Sequence, residues 1–117
     1  MSDHGNSNQN KNQHHLYEIW DKQEQETFKY GISDDPIGED GLSARARQQM
    51  EWFNVIAGWL RYVARILRLD IGDRENAKHI EDDYMDAFEA KHGRRPRGNR
   101  KRNFKKKCLT IFVLCRC

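Results

Sequence analysis

From Leu16 to Asp21 apolar and polar residues alternate, and most positions are β-formers, a pattern that predicts a strand. Thr27 to Ser33 predicts a second, and the short polar stretch between them suits an antiparallel hairpin. Gly31, inside that second run, marks a bulge or a close backbone approach. Asp34-Asp35-Pro36-Ile37-Gly38 then begins a turn-forming loop that continues to Gly41. Past the loop the period changes. Ser43 is suited to cap a helix, and Ala46, Met50, Phe53, Ala57 and Leu60 follow at spacings of four and three, one apolar stripe. Trp52, Ile56 and Trp59 widen that stripe, which implies a helix well covered by other elements. The helix gives way near Gly58. Arg61 to Leu69 is apolar on both parities and predicts a third, buried strand, with one long continuous helix as the competing reading. Asp70-Ile71-Gly72-Asp73 breaks the pattern. From about Arg74 a second helix carries Ala77, Ile80, Tyr84 and Phe88 on one stripe, with Gly93 as its stop and Pro96 beyond.

The order strand, strand, helix, strand, helix, basic loop predicts an α+β domain: a small three-stranded, mainly antiparallel sheet flanked by helices. A chain of 117 residues has room for one such domain. Residues 1–14 are polar with almost nothing apolar, so a disordered lead-in is expected there. The domain itself is expected over 15–104. Residues 105–117 form a basic, then apolar and cysteine-rich tail that fits no part of this pattern. The apolar run Cys108 to Cys115 is too short to span a bilayer, and nothing at the N-terminus resembles a signal peptide. The expectation is therefore no membrane association, with the chain either cytoplasmic or delivered as an effector by machinery it does not encode. The three cysteines, all in the last ten residues, match no common zinc spacing.

Charge changes the picture more than composition does. The net charge of +3 conceals a block from Arg94 to Lys107 with nine Lys or Arg in fourteen residues and no acid, leaving 12 basic against 18 acidic side chains elsewhere. A basic block on an acidic body points to a polyanionic partner met on one face, a solvated tail being the plainer alternative. Arg94, Arg95, Arg97, Arg100, Lys101 and Arg102 are the candidates for sequence-independent, salt-sensitive contacts to nucleic-acid phosphates.

Among the acids, Glu81 has a distinctive phase. It lies one residue from Ile80 and three from Tyr84, so it flanks the apolar stripe of the second helix and does not face away from it. Its neighbours Asp82, Asp83 and Asp86 read as ordinary solvated residues. A carboxylate able to hold a metal, beside groups that hold phosphate, is the minimal equipment of a phosphodiesterase.

Taken with Leu16-Tyr17-Glu18-Ile19 and Lys29-Tyr30-Gly31, this segment resembles the GIY-YIG (URI) nuclease superfamily over roughly residues 15 to 100. It looks closest to the superfamily's toxin domains at the C-termini of bacterial polymorphic toxins. The resemblance puts Tyr17 at the catalytic tyrosine of the first half-motif and Lys29 where the second half-motif usually has a tyrosine, a replacement that some family restriction enzymes accept. Tyr30 serves there instead if the strand is bulged at Gly31. The family's helical arginine corresponds to Arg45, with Arg47 as the fallback, its metal-binding glutamate to Glu81, and its terminal asparagine to Asn99. Each motif is weak alone; order and spacing carry the likeness.

Phosphodiester hydrolysis makes the same demands: an activated water, neutralised transition-state charge and help for the leaving oxygen. A single carboxylate, Glu81, suits Mg2+ or another divalent cation, since magnesium takes few protein ligands. Tyr17 would accept the water's proton, which for a tyrosine requires a nearby cation. Lys29 supplies such a charge and reaches the phosphate, Arg45 suits bidentate contact with it, and Asn99 would hold the loop and substrate backbone. The leading expectation is a metal-dependent endonuclease acting as a bacterial toxin or effector domain on DNA or RNA, with a cognate immunity protein implied. The alternative is a catalytically inactive nucleic-acid-binding module that uses the Arg94–Lys107 strip.

Overall fold

The computed structural model describes residues 11–99 and 102–104. In chain order the elements are β1 (His14–Asp21), β2 (Glu26–Ser33), α1 (Ala44–Ala57), β3 (Tyr62–Ile71) and α2 (Arg74–His92). The strands form one antiparallel sheet in the order β2-β1-β3, the α+β architecture that the residue pattern predicts. Residues 1–10, Arg100, Lys101 and 105–117, and with them most of the expected lead-in and the whole expected tail, lie outside the described residues. Among the described residues no helix is long and apolar enough to cross a membrane.

Each turn has a local cause. Asp21 ends β1, and its carboxylate accepts from the backbone N–H of Gln23 and Glu24, shaping the hairpin turn. Ser43 caps α1 by accepting from the Ala46 N–H, and its hydroxyl also bonds the His15 ring at 2.9 Å. That bond, with the burial of His14 and His15, extends β1 two residues ahead of the alternating run. Gly58 ends α1 in the left-handed region, at φ 80°. Asn54 then bonds both the N–H and the C=O of Tyr62, at 2.7 and 3.0 Å, so the chain reverses and a continuous long helix is excluded. Asp73 caps α2, and Gly93 closes it at φ 76°.

Alternate residues of the sheet enter two separate cores. Leu16 and Tyr30 pack with Ala77, Met85 and Phe88 of α2; Tyr17 and Ile19 pack with Ala46 of α1 and Tyr62 of β3. The sheet is thus covered on both faces, one helix to each.

Three expectations are corrected. β3 is an edge strand, hydrogen-bonded to β1 alone, with Val63 and Leu69 exposed, so its double-parity apolar pattern does not reflect burial on both faces. The far side of α1 is not covered: Trp52, Val55, Ile56 and Trp59 are 49–72% exposed, and Leu60 lies beyond the helix in solvent. Asp82 is not solvated but 1% exposed, accepting from the backbone N–H of Asn103 (2.7 Å) and Phe104 (3.0 Å), while Asp86 receives a bidentate Arg102. These contacts dock residues 102–104 onto α2.

Asp21 is wholly buried and takes hydrogen bonds from Arg61 (2.9 and 2.8 Å) and from Arg97. Burial alone would raise its pKa, but the two guanidinium groups and the turn N–H groups together hold it well below the usual carboxylate range. A depressed folded-state pKa contributes stability above the unfolded value and loses it as pH falls through the folded one. Asp21→Asn is therefore expected to cost about 3 kcal/mol at neutral pH, and to flatten the loss of thermal stability below about pH 4 that the wild type shows. Thermal denaturation across pH measures both.

Candidate active site

β2 forms the other edge of the sheet, and the candidate cleft is built on it. The strand carries a bulge at Phe28: Ile19 pairs with Lys29 and Trp20 with Thr27, leaving Phe28 extra. Phe28 turns into the α1-side core, and Lys29 comes to pair with Ile19, sharing a face with Gly31 and Tyr17. The bulge expected at Gly31 is not there. Gly31 serves instead for close approach, because a Cβ on it would sit 2.2 Å from Tyr17 Cζ and 2.3 Å from its hydroxyl. The tyrosine ring lies directly over the β2 backbone.

The outer edge of β2 is closed by the loop after α2. Asn99 accepts from the Tyr30 N–H at 2.9 Å and donates to the Tyr30 carbonyl at 3.0 Å. One residue earlier, the Gly98 N–H donates to the Phe28 carbonyl at 2.7 Å. A Cβ at Gly98 would meet the Phe28 ring at 2.7 Å and Lys29 Cβ at 2.9 Å. Both amide groups of Asn99 are thus occupied in imitating a neighbouring strand.

The result is a polar cleft of about 200 Å³ whose walls include Tyr17, Lys29, Arg45, Arg74, Glu81, Asn99 and Asn103. All six sequence-predicted catalytic residues, Tyr17, Lys29, Tyr30, Arg45, Glu81 and Asn99, thus line one small space, from four elements and the loop after α2. Tyr30, the alternative for the second motif position, packs its ring edge-on against Tyr84 in the α2-side core. Lys29, not the Tyr30 ring, is the group on the Tyr17 face. Arg47, the alternative helical arginine, is turned away: its guanidinium holds Asp40 at 2.8 and 2.7 Å.

The electrostatics follow from burial. Tyr17 is 1% exposed and donates its hydroxyl hydrogen to Gln49 Oε1 at 2.9 Å. Burial pushes its pKa up to about 12, with Arg45 opposing, so the free protein holds a neutral phenol. Lys29 is half-buried, and desolvation and the nearby Arg45 lower its pKa against the pull of Glu81. Glu81 is 7% exposed; burial raises its pKa, opposed by a hydrogen bond from Asn103 Nδ2 at 2.6 Å and helped by the neighbouring Asp82. A buried carboxylate this poorly compensated suits a cation. Among the described residues no three His, Cys, Asp or Glu side chains group as a metal cluster; Glu81 is the carboxylate of this cleft that could hold a cation.

The basic strip has an internal use. Arg94 makes two bonds to Glu26 (2.9 and 2.7 Å), Arg97 bonds Glu26 and Asp21, and Arg102 bonds Asp86. In the described part of the strip these charges neutralise the acidic body. Arg95 is partly buried beside them. Sequence reading did not find Gln49, Arg74 or Asn103. Gln49 and Asn103 carried no signal in the pattern; Arg74 carried one, a cation at a helix start, where the helix dipole disfavours it.

Among known families, the model described as URI fold toxin 2 matches residues 7–93. The match takes in Tyr17, Lys29, Arg45 and Glu81 and stops short of Asn99 and Asn103. No curated protein and no solved structure matches.

Gly31→Ala is expected to force the Tyr17 ring off the strand. The overpacking should cost about 1–3 kcal/mol, read by thermal denaturation, and should shift the Tyr17 phenol titration away from its wild-type position.

Proposed function

The chain belongs to the URI fold toxin 2 family, a GIY-YIG-like fold, and from that membership together with the cleft we propose that it is a divalent-cation-dependent endonuclease, the toxic domain of a bacterial effector. The observation that carries this reading is the convergence of Tyr17, Lys29, Arg45 and Glu81 on one polar cleft.

In this reading Arg45 and Lys29 bind the oxygens of the scissile phosphate and offset charge as the transition state develops. Arg45 does so with a planar fork suited to bidentate contact, close enough to Tyr17 to lower its pKa. Glu81 would hold a divalent cation, magnesium being the best fit to a single carboxylate, and such an ion would supply positive charge for the phosphate and for activation of the attacking water. With its own hydrogen directed to Gln49, the Tyr17 oxygen accepts a hydrogen bond from the attacking water and orients it. A phenol near 12 is ionised to only about 1 part in 10⁴ at pH 8, so full proton acceptance by Tyr17 needs the added positive charge of the loaded site. Asn99 positions Lys29 by fixing the strand on which it stands. A cognate immunity protein would then protect the producing cell by covering this cleft. In the rival reading, an inactive module that binds through the basic strip, three of the described cations, Arg94, Arg97 and Arg102, would have to exchange their intramolecular acids for phosphates.

The direct test is incubation of the purified chain with plasmid DNA and total RNA, with magnesium or with EDTA. Cleavage of either that EDTA abolishes is the expected result; no cleavage with any divalent ion would overturn the reading. Glu81→Gln is expected to bring cleavage below detection and yet raise the melting temperature of the metal-free protein. The sign follows from its raised pKa: the folded state binds a proton more tightly than the unfolded one, so the ionised carboxylate destabilises as pH rises through that window. Added magnesium should stabilise the wild type and not this variant. Tyr17→Phe should lower kcat by about 10²–10⁴. If loss of the phenol proton limits the rate, log kcat should climb with unit slope from about pH 6 to 9 in the wild type.

A further inference from the structure

Arg74, the first residue of α2, belongs to two adjoining cavities. It lines the cleft with Tyr17, Lys29 and Glu81, and it lines a polar groove with Ile32, Ser33, Arg45 and Gln48. Arg45 is the only other cation that these two sets of walls share, so the two guanidinium groups stand where cleft and groove join. Arg74 lies two helical turns before Glu81, on the same face of α2, and its charge pulls the Glu81 pKa down.

Two features of Arg74 work against stability in the free protein. Its Nε is buried and has no hydrogen-bond partner, a donor removed from water with nothing gained in return. It also places a cation in the first turn of a helix, where the dipole favours anions. An anion against the exposed edge of the guanidinium would offset the second cost. Two acids also line the groove: Asp35 accepts from the Arg45 backbone N–H at 3.1 Å, and Asp34 accepts from Asn12 at 3.0 Å.

We propose that Arg74 and Arg45 together hold the phosphate next to the scissile one, so that the groove is a second phosphate subsite and the preferred substrate is an oligonucleotide strand, not an isolated diester. The inference rests on the nuclease reading for the identity of the cleft, and it deepens that reading by naming what lies beside the reacting group. Cleft and groove then follow one strand, with Arg45 shared between successive phosphates.

The test compares the full-length wild type with Arg74→Ala and Arg74→Lys. Binding of a fluorescent single-stranded oligonucleotide is measured in EDTA over a range of salt, and hydrolysis is measured with magnesium on that oligonucleotide and on bis(p-nitrophenyl) phosphate. For Arg74→Ala we expect affinity to fall about tenfold and the slope of log K against log salt to become shallower by about 0.7, the value for one lost phosphate contact on a single strand. Arg74→Lys should keep the slope and recover part of the affinity. The alanine variant should lose at least ~10-fold more kcat/KM on the oligonucleotide than on the single diester, mainly through KM. Its melting temperature should equal or exceed the wild type's. Unchanged affinity and slope, equal losses on the two substrates, or a fall in melting temperature that accounts for the lost binding would each overturn the proposal. A wild type that binds the oligonucleotide but cuts neither substrate would refute the nuclease reading, and the binding measurements would still decide the role of Arg74.

Discussion

The candidate site depends on how one edge strand is closed. β2 has β1 on one side only, and its outer N–H and C=O groups need partners or solvent. Asn99 and Gly98 provide the partners, binding the backbone of Tyr30 and Phe28 as a fourth strand would. Because the closure is a loop and not a strand, it leaves room beside Lys29 for the side chains of two helices from opposite faces of the sheet. A true fourth strand would bury that space. The cleft is therefore a consequence of ending the sheet early and covering it with a side-chain amide.

The same loop explains the uneven charge of the chain. Arg94 and Arg97 leave α2 and run back to Glu26 and Asp21 at the hairpin end of the sheet, while Arg102 returns to Asp86 on α2 itself. Asp21, fully buried and bonded by Arg61 as well, anchors the far end of the path. Among the described residues of the basic strip, Arg94, Arg97 and Arg102 pair with acids of the body, and these contacts hold the loop that carries Asn99 and bring Asn103 to Glu81. At those three positions, charge that reads in the sequence as a surface for a partner acts as internal counterion.

Around the cleft, local stability yields to what the site requires. Tyr17 lies against a glycine that tolerates no side chain, Glu81 is a carboxylate with too little compensation, and Arg74 has a buried donor unmatched. Each departs from what a fold selected for stability alone would choose. They bring a phenol, a carboxylate and a guanidinium together around one 200 Å³ space.

The order and type of all five elements were readable from the chain, because periodicity, Ser43, Gly58 and Gly93 act locally. The phase of Glu81 beside its apolar stripe was readable, and motif order singled out Tyr17, Lys29, Arg45 and Asn99, residues that the fold brings to one cleft. Three kinds of fact were not. The bulge at Phe28 decides that Lys29, and not the Tyr30 ring, shares the Tyr17 face, and a one-residue shift in strand pairing leaves no mark on alternation. Whether a strand or helix face is covered depends on its neighbours, so Val63 and Leu69 of β3, Trp52 and Ile56 of α1 and Trp59 just beyond it read as buried and are exposed, while Asp82 reads as solvated and is not. Partner choice among charges is likewise set by distance in space: nothing between residues 21 and 97 announces that an aspartate and an arginine that far apart are to meet.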